Sequence, residues 1–238
     1  MVAFSAVAQD SPNSPPPPPI ANETSTPDVW GDRYFHFALN FTPGVYWLSP
    51  NSSNNTANGA SFGFCYGANL EFYFTRNYGF LLGFEVTQIG AKYINTTNFT
   101  RYDSIVNHNE TVQYLQLPLE LKLKTDPFRN IRYYGLVGLD LGFRLKATDD
   151  YNTQVTPNFF NMGYGILNSY SGNNVNISSQ TDFFRISLVI GGGVEYAIAG
   201  STSLQASLTY NNCFTNLNNT SSNAVNIKGV ELMIGVLF

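Results

Sequence analysis

The chain has 238 residues, long enough for one all-β domain, and a formal charge of −4 with 12 Lys and Arg scattered along it. Phosphate binding needs clustered basic side chains, so nucleic acid is excluded as a partner. Only 12% of residues are charged while 15% are Phe, Trp or Tyr, which favours strands and polar loops, and no apolar run has the length of a transmembrane helix.

Residues 1–8 end in Ala6, Val7 and Ala8 ahead of Gln9, the small-residue pattern of an export cleavage site, but without a basic n-region. They read as a signal-peptide remnant or else as an apolar tail. Residues 9–31 include SPNSPPPPPIANETSTPD, a Pro-rich stretch that cannot bury a core and reads as an extended, disordered linker. The folded domain is expected over 32–238.

Period-2 alternation then marks eight segments as strands, at 33–48, 61–74, 78–93, 111–124, 131–146, 182–196, 202–214 and 227–238. In the second, Phe62, Phe64, Tyr66, Leu70 and Phe72 oppose Gly63, Cys65, Gly67, Asn69 and Glu71. In the fourth, Leu115, Leu117, Leu119, Leu121 and Leu123 alternate with Gln116, Pro118, Glu120, Lys122 and Lys124. The fifth sets Val137, Leu139, Leu141, Phe143 and Leu145 against Arg132, Asp140, Arg144 and Lys146. In the last, Val230, Leu232, Ile234, Val236 and Phe238 share a face opposite Glu231, Met233 and Gly235.

The links alternate in length. Asn-rich stretches at 49–60, 94–110, 147–181 and 215–226 are long, whereas TRNYG, DPFRN and AIAGST are tight turns. Long and short links therefore fall on opposite ends, as in outer-membrane barrels with external loops and short periplasmic turns. The 147–181 link is expected to be the least ordered part after the N-terminus.

Alternation alone also fits a soluble lipocalin-like barrel with its apolar face inside. Rows of Phe and Leu this bulky would overfill a small lumen, and the polar faces hold too few charges for a soluble surface. The expected fold is therefore all-β, a closed antiparallel up-and-down transmembrane barrel of about eight strands. Two further features agree. Tyr34, Phe35, Phe72, Phe74, Tyr78, Phe80, Tyr133 and Tyr196 near one end, and Tyr46, Trp47, Phe62, Tyr93, Phe183 and Tyr210 near the other, are placed for interfacial girdles. Arg33, Lys92 and Lys228 have outward parity at strand ends, where they could snorkel into headgroups.

The ending VELMIGVLF resembles the terminal insertion signal of outer-membrane barrels. YLQLPLELKLKT, YYGLVGLDLGF and RISLVIGGGVEYAIAGSTSLQASLTY are similar to the PorT-like, or outer membrane protein beta-barrel domain, family of Bacteroidetes, over about residues 33–238. The resemblance implies an outer-membrane location, outer-membrane lipid around the barrel, and recognition by barrel-assembly machinery through Val230, Leu232, Ile234, Val236 and Phe238. It implies no defined task.

Twelve charged residues have inward parity: Glu71, Glu85, Glu120, Asp140, Glu195 and Glu231 against Lys122, Lys124, Arg132, Arg144, Lys146 and Arg185. They are expected to fill the lumen as a mutually satisfied structural network; a proton or ion path is the functional alternative. His36 points inward and His108 falls in an external link beside Glu110, neither in a nucleophile motif, so no enzyme is expected. Cys65 and Cys213 are expected to be too far apart for a disulfide. No metal-ligand spacing appears, and no cofactor is expected. The expected role is a structural or surface-interaction barrel acting through its loops; the alternatives are a narrow ion-conducting barrel, a soluble carrier and a lipid-modifying enzyme.

Overall fold

A computed structural model describes residues 34–50, 54–99, 102–157, 168–217 and 225–238. The expected signal-peptide remnant, the linker, Arg33 and part of the 147–181 link lie outside the described residues. Among the described residues there are ten strands: β1 (Phe35–Pro50), β2 (Asn55–Ala57), β3 (Ala60–Tyr73), β4 (Tyr78–Asn98), β5 (Tyr102–Lys124), β6 (Ile131–Pro157), β7 (Asn168–Asn176), β8 (Phe184–Ala199), β9 (Thr202–Cys213) and β10 (Val225–Leu237).

Eight of them close a ring, β1-β3-β4-β5-β6-β8-β9-β10 and back to β1, with every pair antiparallel. Closure pairs Ala38 with Leu237 and Pro50 with Val225, and Phe37 and Phe238 exchange backbone hydrogen bonds. The ring thus hides its backbone polar groups, which an open sheet in lipid could not do. The two remaining strands lie off the ring, β2 on β4 and β7 on β6.

The pleat sorts the side chains as the alternation requires. In β1, Phe35, Phe37, Leu39, Phe41 and Val45 are exposed, while His36, Ala38, Asn40, Thr42 and Tyr46 are buried. The outward rows form an apolar belt: Tyr78, Phe80, Leu82, Phe84 and Val86 in β4, the odd-numbered Leu115 to Leu123 in β5, and Val230 to Phe238 at even positions in and just after β10. In β4 and β5 the belt stops at Gln88 and Gln113, yet both strands run on, and β6 reaches Pro157. The sections beyond the belt, with β2 and β7 added at either side, form an open sheet standing past the barrel.

This sheet corrects the expected long links. Within the 94–110 stretch, 94–98 continue β4 and 102–110 belong to β5, with Asn98 paired to Asp103. Most of 147–181 that is described is the end of β6 and β7, and 49–60 contributes β2. His108 accordingly belongs to β5 and not to a loop, and Lys92 is inside β4 and not at its end. Sequence alternation there is polar on both faces, so nothing marked these residues as strand; cross-strand hydrogen bonding to neighbours already aligned by the barrel extends them.

A second correction comes from a bulge. Gln113 pairs with Lys146 and Tyr114 with Arg144, which leaves Leu145 unpaired. Parity inverts beyond it: Leu145 and Lys146 are both exposed, and Ala147 and Asp149 turn inward. Lys146 is therefore not a lumen residue. Among the aromatic residues assigned to girdles, Tyr46 and Tyr93 are buried inside; the others lie on the outer side.

Candidate functional site

The lumen is filled in three layers. Nearest the short turns, Lys122 Nζ lies 2.6 Å from both Glu71 Oε1 and Glu195 Oε1, and Lys124 Nζ lies 2.9 Å from Glu195 Oε1. β5 delivers both lysines on one face two residues apart, while β3 and β8 deliver the acids from across the ring. Tyr73 donates to Glu71, Lys122 also donates to Gln205 Oε1 at 3.0 Å, and the ammonium groups of Lys122 and Lys124 lie over the rings of Tyr134 and Tyr73. Two acids and two bases, all buried, form the ion pairs of this layer. His36 packs edge-on to Tyr73 beside it.

The middle layer differs. Glu85, Glu120, Asp140 and Glu231 line one cavity of about 30 Å³, room for one or two waters, with Thr42, Cys65, Asn69 and Gln116. The nearby base is Arg185, which donates to Ser187 and Asn211 and not to a carboxylate. Neutral donors reach three of the acids instead: Tyr46 Oη to Glu231 at 2.9 Å, Cys65 Sγ to Glu85 at 3.1 Å, and Gln116 Nε2 and Asn211 Nδ2 to the same Asp140 oxygen. The expected six-against-six pairing is thus only partly formed. Arg144 lies at the mouth and donates to the Thr181 carbonyl, and Arg132 is buried at the short-turn end, where β6 pairs it in register with Glu195. Cys65 and Cys213 are both free.

Toward the long-link end the lumen turns apolar. Tyr46 and Leu48 from β1, Ile89 and Ala91 from β4, Val112 and Tyr114 from β5, and Val225 and Ile227 from β10 form one buried cluster. Ile177 and Leu217, from the links, join it, tied down by Ile177 N–H to Ala147 and Leu217 N–H to Val225. Tyr46 can lie against the wall because Gly63 and Gly229 face it from both neighbouring strands; a Cβ on either would come within 2.6 and 2.4 Å of its ring. Two inward glycines flanking one tyrosine were the signal in the sequence for this aromatic plug.

Above the plug, outside the belt, β5 and β6 bring together His108, Glu110 and Asp149. Glu110 is paired directly with Asp149 across the sheet and with Ala91 on β4. His108 Nδ1 lies 2.6 Å from Asp149 Oδ2, Asn109 N–H donates to Asp149 Oδ1 at 3.1 Å, and Tyr93 donates to Glu110 Oε1 at 2.6 Å. Burial pushes the Glu110 carboxyl up to about 7, with Asp149 adding to the rise and the Tyr93 hydrogen bond and His108 opposing it. Only the H-x-E pair is visible in sequence; Asp149 arrives through the bulge.

The model of the outer membrane protein beta-barrel domain matches residues 7–181. The chain belongs to that family. This outer-membrane barrel therefore has its belt in lipid; in barrels of this kind the short turns face the periplasm and the longer connections the outside of the cell. No curated protein matches it. Among solved structures it is similar to Neisserial surface protein A, at 15% identity over 84% of this chain and 95% of that one, with a TM-score of 0.40. It is also similar to Ail of Yersinia pestis, at 13% identity over 87% and 100%, TM-score 0.34, and to OprG of Pseudomonas aeruginosa, at 10% over 88% and 97%, TM-score 0.42.

Proposed function

We propose that this barrel is a non-enzymatic membrane anchor whose external sheet and links act as a surface-interaction platform. The observation that supports this most is the filling of the lumen by an ionic layer, a carboxyl layer and an apolar plug in series, with a cavity of only about 30 Å³ between them. A solute would have to displace all three. The external sheet presents Asn, Ser and Tyr on an edge strand, β7, that is exposed along nearly its whole length. Against an enzyme, neither histidine hydrogen-bonds a serine among the described residues: His108 is engaged by Asp149 and stacks on Tyr93, and His36 packs on Tyr73.

Assembly fits the same reading. Val230, Leu232, Ile234, Val236 and Phe238 form one outward row, the form in which a last strand would be read by barrel-assembly machinery. The strand motifs support a PorT-like barrel of Bacteroidetes type, and the Ala6-Val7-Ala8 pattern supports export by a signal peptide. The test is reconstitution of the full chain in planar bilayers. We expect no discrete conductance steps; steps that change with Glu85→Gln or Asp140→Asn would replace the anchor by the ion-conducting alternative.

A further inference from the structure

The external cluster on β5 and β6 has the composition of a metal site. One donor atom each from His108, Glu110 and Asp149 lies within 4.8 Å of the other two. His108 and Glu110 share a face of β5 because they are two residues apart, and Asp149 stands opposite Glu110 on β6, so the backbone ladder fixes all three. Glu110 and Asp149 are each 3% exposed. Glu110 uses Oε1 to accept from Tyr93, while its Oε2 is buried with no hydrogen-bond partner among the described residues.

An unpartnered carboxylate oxygen at that depth is costly unless something positive completes it. The imidazole alone cannot balance two buried carboxylates, and it is already engaged by Asp149. Lys92, the nearest base on β4, has the opposite parity and borders the outer cavity of about 270 Å³ that His108 also lines with Asp150 and Tyr151. That cavity gives an ion access to the imidazole from outside.

We propose that His108, Glu110 and Asp149 bind a first-row divalent cation of the Zn²⁺ type, which clamps β5 to β6 above the membrane. One nitrogen and two carboxylate oxygens suit such an ion, whereas Ca²⁺ or Mg²⁺ would call for an all-oxygen set. Three protein ligands with a fourth position left to water is a familiar zinc arrangement. The ion takes the Nδ1 lone pair and replaces the hydrogen bond between Nδ1 and Asp149; a neutral imidazole then carries its one proton on Nε2, and an imidazolium releases its second proton to solvent. Two groups already hold the ligands in place: the Asn109 N–H fixes Asp149 through Oδ1, and the Tyr93 hydroxyl fixes Glu110 through Oε1.

The test uses the full, tag-free chain folded in detergent, stripped with chelator, loaded with Zn²⁺ and desalted, with bound metal measured by elemental analysis. We expect one equivalent retained, and its loss in His108→Ala and Glu110→Gln, while His36→Ala retains it. Tyr93→Phe, which removes no ligand, should weaken binding by roughly 10- to 100-fold. Co²⁺ in place of Zn²⁺ should give visible absorption that disappears in His108→Ala, and this readout holds even if retention in one variant is obscured by poor folding. Equal zinc in wild type and His108→Ala, no retained zinc at all, or binding of Ca²⁺ in preference to Zn²⁺ would each overturn the proposal.

Discussion

The two ends of the lumen solve one packing problem with opposite chemistry. At the periplasmic end Glu71, Glu195, Lys122 and Lys124 interlock as buried ions, while at the external end Tyr46, Ile89, Val112 and Tyr114 close the barrel with apolar contacts. Inward parity alone therefore says where a side chain goes and not what chemistry meets it there. The ionic end depends on every partner being present, because a buried charge that loses its mate keeps the full desolvation cost. The apolar end degrades in proportion to the volume removed.

The sharpest break in that contrast is Lys122→Met. It leaves Glu71 and Glu195 facing Lys124 alone, and should destabilise the barrel by about 3 to 5 kcal/mol, read as a loss of resistance to urea unfolding in lipid vesicles. Less than 1 kcal/mol would mean that the ionic end is as forgiving as the apolar one.

From the other side of the same wall, Leu139→Arg puts a charge in the middle of the belt and should cost roughly 2 to 4 kcal/mol in a bilayer, whereas Leu139→Met should be nearly silent. A tolerated arginine would show that the outward face is solvated. At the external end Gly229→Ala drives a methyl into the Tyr46 ring and should cost about 1 to 3 kcal/mol, relieved when combined with Tyr46→Ala. No relief in the double variant would place the strain elsewhere. The mildest probe is Ile89→Val, expected to cost about 0.5 to 1.5 kcal/mol, with no change in salt dependence. A marked salt effect there would blur the division between the two ends.

Within the belt, the sequence made the fold legible because lipid demands strict alternation: Leu115 to Leu123 and Val230 to Phe238 could be assigned to the outer face directly. Beyond the belt that demand lapses. Residues 94–110 and 147–157 are polar on both faces, and only pairing with an aligned neighbour tells that they are strands. Parity gives each charged residue a face, and the bulge at Leu145 inverts it at Lys146. Their grouping was not legible. Which acid meets which base depends on strand register around a closed ring, and no local pattern encodes that Glu195 meets Lys122 while Asp140 meets two amides. His108 and Glu110 are two residues apart in sequence, but the third member of their cluster comes from a different strand after a shifted register.

The seam between β1 and β10 bears on how such a chain folds. Every other ring contact joins strands that follow one another or are separated by a single short strand, so those hairpins can form as soon as their residues are available. The seam instead joins Ala38 to Leu237, with all the other ring strands between them in sequence. Loop closure makes this pairing slow more than weak, since each doubling of the closed loop adds only about 0.6 kcal/mol. Until it forms, two bare edges carrying Phe35, Phe37, Leu39, Ile234 and Phe238 are open to any other strand at hand. Speed of closure, and not final stability, is then what separates a finished barrel from an aggregate.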